Sequence, residues 1–148
     1  MDATQLVYRI NSASMKDIVM HLGMCNESFF PPLSQRVDVG EYSRKISEKA
    51  VTFESWCDQE LVGLLAVYFN TQSRSAYITN VSVVDNYMRL GIASTLLKMC
   101  LEHAVQKDFH TIRLDVHAEN GRALEFYQKH GFMMEQSERN VLQMIRTI

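Results

Sequence analysis

The chain has 148 residues, 47% of them apolar and 22% charged, with a formal charge of −2. Length and balance predict one globular domain over residues 1–148, and the slight acidic surplus argues against a nucleic-acid partner. The longest apolar run, Leu64 to Phe69, is too short to span a bilayer, and Met1 to Gln5 lacks the basic, then apolar pattern of a leader; both predict a cytoplasmic protein without a membrane partner. Cys25, Cys57 and Cys100 are odd in number and lack CxxC spacing, so they read as reduced, buried thiols, with no metal site expected.

Leu6 to Ile10 reads as a short strand. Ser14 then has the character of an N-cap, with Asp17 three residues on and apolar residues at Met15, Ile18, Val19 and Leu22, which predicts an amphipathic helix running up to Phe29-Phe30-Pro31-Pro32. A second helix is predicted from Asp38, with Glu41 facing back onto the cap and Val39, Tyr42 and Ile46 on one stripe. Val51 to Cys57, a polar turn at Asp58-Gln59-Glu60, and Leu61 to Phe69 form a hairpin, its second strand apolar on both faces. Ala76 to Val84 is another strand. The apolar residues Ala93, Leu96, Leu97, Cys100, Leu101 and Ala104 recur at helical spacing and predict the clearest helix of the chain. Thr111 to His117 is a strand, and a helix follows from about Asn120, with Gly131 as the residue just past its end. Phe132 to Gln136 and Val141 to Ile148 close the chain as antiparallel strands. The order β-α-α-β-β-β-α-β-α-β-β predicts an α/β fold, a mixed and mostly antiparallel sheet flanked by helices.

Chemistry concentrates between Val81 and Phe132. There a strand runs through Asp85-Asn86-Tyr87-Met88-Arg89-Leu90-Gly91 straight into a helix. The first N–H groups of a helix lack partners and its dipole favours negative charge, so an anion such as a pyrophosphate is the natural guest. The turn has neither the three glycines of a dinucleotide fingerprint nor the Gly-Lys-Ser/Thr of a P-loop.

Further on, Leu114-x-Val116, then Asn120-x-x-Ala123-x-x-Phe126-Tyr127-x-x-x-Gly131-Phe132, resembles the signature of the GNAT superfamily of acetyl-CoA-dependent N-acetyltransferases at every anchor. Met88 to Ala93 occupies that family's Gln/Arg-x-x-Gly-x-Gly/Ala motif, with Met88 standing where Gln or Arg is usual and Arg89 where Gly commonly follows. The resemblance covers nearly the whole chain. It implies the GNAT fold, acetyl-CoA as co-substrate, no metal, and a cofactor site built from Val81, Ser82, Val83, Met88, Arg89, Leu90, Gly91, Ile92, Ala93, Ser94, Asn120 and Tyr127.

It also implies direct attack by an amine on the thioester within a ternary complex. Tyr127 is the candidate general acid, since a phenol of pKa about 10 is protonated at neutral pH and can donate to a thiolate. Asp115 is the candidate general base, with His117 and Glu54 as alternatives; Thr79 stands where some relatives carry a base Glu and cannot serve. Phe29, Phe30 and His117 are candidate substrate-binding residues. The expected acceptor is a small-molecule primary amine, with a peptide N-terminus or a non-catalytic CoA-binding module as alternatives, and a homodimer is compatible with the family.

Overall fold

The computed structural model describes residues 5–148; Met1 to Thr4, the start of the segment read for a leader, lie outside them. The elements are β1 (Val7–Ile10), α1 (Met15–Cys25), α2 (Val39–Lys49), β2 (Val51–Cys57), β3 (Glu60–Asn70), β4 (Ser75–Val83), α3 (Ile92–Gln106), β5 (Thr111–His117), α4 (Gly121–Lys129), β6 (Met133–Glu138) and β7 (Val141–Thr147), in the expected order. They form one seven-stranded sheet of order β1-β2-β3-β4-β5-β7-β6, in which only β4 and β5 run parallel. No described helix is long and apolar enough to cross a membrane.

The caps explain where the helices start. Ser14 Oγ accepts from Asp17 N–H at 3.1 Å and Asp17 returns the bond to Ser14 N–H at 2.9 Å, which closes a capping box. Asp38 caps α2 by accepting from Glu41 N–H at 3.0 Å. Glu41 does not fold back on the cap as expected; its carboxylate reaches forward to Arg44 at 2.6 Å, where the guanidinium offers a charged donor. Helix α1 also stops earlier than expected, at Cys25, and the chain makes a short 3-10 turn over Asn26–Ser28 before the prolines, with Asn26 Oδ1 accepting from Ser34 N–H at 2.8 Å. The Phe30–Pro31 bond is cis.

Both faces of the sheet are covered at β3. Val62, Leu65 and Val67 of β3 turn to a core shared with Ile92, Leu96, Leu97 and Cys100 of α3, while Leu64 and Ala66 turn to a second cluster with Ile18, Leu22, Leu33 and Ile46. This is why β3 is apolar on both sides. Helix α3 approaches so closely that a Cβ built on Gly63 of β3 would lie 2.6 Å from Ile92 Cγ2. The three cysteines are free and buried.

One buried carboxylate ties the first connection to the sheet. Glu54 of β2 is fully buried and accepts from five donors: the N–H groups of Ser12 and Ala13, the Ser12 and Thr52 hydroxyls, and the Trp56 indole at 2.9 Å. A buried carboxylate is tolerable only when so satisfied.

Two irregularities shape the rest. In the β3–β4 ladder Ala66 pairs with Asn80 and Val67 with Ile78, so Thr79 is an extra residue in β4. This bulge reverses the alternation. Ala76 and Ile78 face the α3 core before it, whereas Val81 and Val83 do so after it, and Asn80 and Ser82 turn to α1. Secondly, β4 pairs with β5 only over Ser75–Tyr77 against Thr111–Arg113, after which the strands part.

Candidate functional site

The wedge between β4 and β5 opens toward the turn before α3. In that turn Met88 N–H donates to Asp85 O and Thr95 N–H to Gly91 O, and the N–H groups of Arg89 to Ser94 in between have no acceptor among the described residues. Gly91, the N-cap of α3, has φ +75°, and Arg89 has φ +67°. Left-handed backbone at two positions of one turn bends successive N–H groups toward a common point, a concavity for anions. A Cβ at Gly91 would meet nothing within 4 Å, so the glycine is required by its backbone conformation rather than by crowding.

A cavity of about 400 Å³ lies over this turn, lined by Val81, Ser82, Val83, Met88, Arg89, Gly91, Ile92, Ala93 and Ser94 on one side and by Arg122, Ala123, Phe126 and Tyr127 of α4 on the other. It gathers nearly all of the expected cofactor residues. Leu90 is the exception among the turn residues, because its side chain packs on the α3 core. Met88 is 39% exposed at the rim, where Arg89 supplies a cation. The Ser94 hydroxyl is turned to His130 Nε2 at 3.0 Å.

Ser82 turns its hydroxyl under the strand. His21 of α1 is fully buried, with Nδ1 2.9 Å from Leu61 O and Nε2 2.9 Å from Ser82 Oγ, and Ser82 Oγ is 2.8 Å from Asn80 Oδ1. A carbonyl can only accept, so Nδ1 carries the proton; Nε2 of the neutral ring and Asn80 Oδ1 are then two acceptors for the single Ser82 hydroxyl proton. Burial lowers the His21 pKa to about 4, so the ring is neutral. Cys25 lines the same cavity, but burial first and Asp85 second push its thiol up to about 11, which makes it a poor nucleophile.

A second cavity of about 180 Å³ occupies the wedge itself, lined by Phe29, Phe30, Arg36, Thr79, Asn80, Val81, Asp115, His117, Asn120 and Tyr127 among others. Tyr127 and Phe29 belong to both cavities, which therefore adjoin. The Tyr127 ring is set edge-to-face against Phe126 at 5.2 Å and Phe132 at 5.7 Å. Its hydroxyl has no partner within the described chain, and burial raises its pKa, so it is a protonated donor facing the cavities. Asn120 caps α4 by accepting from Ala123 N–H at 3.3 Å.

Asp115 is exposed at the cavity wall and accepts from the Tyr77 hydroxyl at 2.9 Å. His117 stands edge-on to Phe30 at 4.8 Å, and its Nδ1 accepts from Glu119 N–H at 3.2 Å. With Nδ1 as the acceptor, it is Nε2 that is left for other partners. Glu54 lines neither cavity; its lone pairs are consumed by the five donors described above, which removes it as a base. Phe29 and Phe30 both line the wedge, although Phe29 also packs on the second core cluster. No local sequence signal singles out Arg36 or Arg122, which reach the cavities through the fold, or Tyr77, which lines neither and bonds Asp115. Among the described residues no group of His, Cys, Asp or Glu is placed to hold a metal ion.

The model of the acetyltransferase (GNAT) family matches residues 19–132. The chain belongs to that family. An uncharacterized N-acetyltransferase of Escherichia coli K12, YedL, is 26% identical over 118 residues, which cover 78% of this GNAT chain and 71% of the relative. Among solved structures, PaiA N-acetyltransferase from Thermoplasma acidophilum in complex with coenzyme A superposes with a TM-score of 0.75 at 18% identity, covering 96% of this chain and 99% of that one. Ard1 from Thermoplasma volcanium does so with a TM-score of 0.77 at 21% identity, covering 97% and 98%. These likenesses are of fold. Family membership makes this GNAT protein an acyl-transferring enzyme.

Proposed function

We propose that this GNAT protein moves an acetyl group from acetyl-CoA to the primary amine of a small molecule by direct attack in a ternary complex, acting as one domain over residues 1–148. The observation that carries the reading is that the cavity in the wedge between β4 and β5 shares Val81 and Tyr127 with the cavity over the turn of unpartnered N–H groups before α3. The pyrophosphate sits on the N–H groups of Arg89 to Ser94, with Arg89 and Arg122 beside it. The pantetheine arm lies in the larger cavity as an added strand, accepting and donating along the free edge of Val81 to Val83, and leaves the wedge cavity to the acceptor.

The thioester then reaches Tyr127, where the two cavities adjoin. The amine nitrogen attacks the thioester carbon, a C–N bond forms and the C–S bond breaks. The thiolate takes the Tyr127 hydroxyl proton, and the amine proton leaves through water to the Asp115 carboxylate, which Tyr77 orients. Solvent exchange between the two restores both groups. Tyr127 is held in place by its aromatic neighbours, so it donates without reorganising.

Calorimetric titration with acetyl-CoA tests the binding half, repeated on Ala93→Glu, a helix position where a carboxylate faces the same turn without backbone strain. Binding weakened at least ~30-fold, or about 2 kcal/mol, is expected from a like charge at a helix terminus. Undiminished binding in the variant, or none in the parent, overturns the placement. Tyr127→Phe tests the chemistry: kcat falls by about 10²-fold or more while acetyl-CoA affinity stays within about threefold.

A further inference from the structure

The acceptor cavity carries two opposite charges that do not meet. Arg36, at the end of the short 3-10 turn Leu33–Gln35, lines the wedge together with Asp115 of β5. Among the described residues no carboxylate lies within ion-pair distance of Arg36, and its guanidinium donates no hydrogen bond, whereas Arg44, Arg74 and Arg113 all have acidic partners. Asp115 likewise has no cation; its partner is the neutral Tyr77 hydroxyl. Tyr77 feels both. Burial, then the hydrogen bond and charge of Asp115, push its phenol up, and Arg36 pulls against them, so both charges lie within Coulomb reach of one hydroxyl.

Arg36 is not needed for the cofactor phosphates, because the other cavity has its own cations in Arg89 and Arg122. The wedge has a volume of about 180 Å³, enough to seat a molecule of amino-acid size. Its polar lining is joined by Phe29, Phe30, Ile78 and Val116. A polyamine would bring a second cation toward Arg36 with nothing to neutralise it. A zwitterion answers both charges: its ammonium faces Asp115 and its carboxylate faces the planar fork of Arg36, which matches a carboxylate bidentately.

We propose that the acceptor is a free amino acid, its carboxylate held by Arg36 and its amine presented beside Asp115 to the thioester. This rests on the acetyl-transfer reading above. The ammonium first gives one proton to solvent and becomes the neutral nucleophile; its nitrogen then forms the amide bond as the C–S bond breaks, its second proton passes to Asp115 through water, and Tyr127 protonates the thiolate. The products are an N-acetyl amino acid and CoA–SH. Arg36 takes no part in the proton transfers; it determines specificity.

The test presents the full chain, acetyl-CoA and, in turn, the twenty L-amino acids, each beside its own carboxamide, with spermidine and a set of carboxamide-capped dipeptides for comparison; free thiol is the readout. At least one amino acid is expected to be acetylated with kcat/KM tenfold or more above its carboxamide. Arg36→Met should abolish that preference by raising KM for the acid tenfold or more, and Arg36→Lys should restore part of it. Arg36 is exposed and unpartnered, so these variants keep the fold, which circular dichroism checks. A carboxamide, a dipeptide or spermidine used as well as the free amino acids overturns the proposal, and so does an Arg36→Met enzyme that still discriminates. Acetyl-CoA that binds without any amino acid being turned over refutes the acceptor alone. Failure of acetyl-CoA to bind refutes the acetyl-transfer reading beneath it.

Discussion

Replacing His21 by Gln should change how the stability of the protein depends on pH. The imidazole is fully buried between Leu61 O and Ser82 Oγ, and its pKa is held near 4. In the unfolded chain a histidine titrates near 6.5. Protonation therefore favours the unfolded chain: the contribution is complete above pH 6.5 and is lost as the pH falls toward 4. By linkage the loss attributable to this one ring is about 2 kcal/mol at pH 5 and about 3 kcal/mol at pH 4, relative to neutral pH. The amide side chain of the His21→Gln variant cannot titrate. It also makes the two hydrogen bonds less well, which costs about 1–3 kcal/mol at pH 7. Urea unfolding of both proteins at pH 7, 6, 5 and 4 gives the difference directly, because the other histidines and the carboxylates are common to both and cancel. The gap between them should narrow by about 2 kcal/mol from pH 7 to pH 5. Two stability curves that stay parallel over this range would refute the claim that His21 is neutral and dry.

Three further outcomes are expected. Gly63→Ala places a methyl 2.6 Å from Ile92 Cγ2, so the first turn of α3 must move; a loss of about 1–3 kcal/mol in urea unfolding should come with weaker acetyl-CoA binding by calorimetry. Glu54→Gln sets an amide NH2 against donors that need acceptors, and should lower stability by about 2–4 kcal/mol at pH 7 with little change in acetyl-CoA affinity, read by the same two measurements. Ser14→Ala removes one half of the capping box and should cost about 1 kcal/mol in thermal or urea unfolding.

Much of the architecture is legible because its cause is local. The stripe from Ala93 to Ala104, the caps at Ser14, Asp38 and Asn120, and the β-branched runs of the hairpin each declare their element within a few residues. The Asn120 to Phe132 pattern likewise points to Tyr127 and the turn at Gly91, which meet at one cavity. What stays hidden depends on pairing. In Ala76 to Val84 the inward apolar residues shift from Ala76 and Ile78 to Val81 and Val83 across the polar pair Thr79-Asn80, a change of phase that the expectation of one plain strand passes over; that Thr79 is the extra residue follows from the register against β3. The parting of β4 from β5 is a property of two strands, and the arrival of Arg36 and Arg122 at the cavities is likewise a matter of tertiary structure. Helix α1 looks longer in sequence than it is because the prolines dominate the pattern, whereas the chain leaves the helix at Cys25 for a turn pinned by Asn26. Glu54 reads as a free acid in sequence and is a structural tie in space.

The short ladder between β4 and β5 has a mechanical meaning. The sheet consists of two stiff panels, β1 to β4 and β5 to β7, fastened along three residue pairs at one end, like a book held near one corner of its spine. Anything lodged in the wedge presses on both covers at once. Tyr127, Asn120 and Asp115 belong to one panel or to the helix riding on it, and Val81 to Val83 to the other. In the proposed reaction the distance from Tyr127 and Asp115 to a thioester held along Val81 to Val83 is therefore set by how far the book stands open, and a change at Ser75 or Ala76 acts on catalysis through that angle.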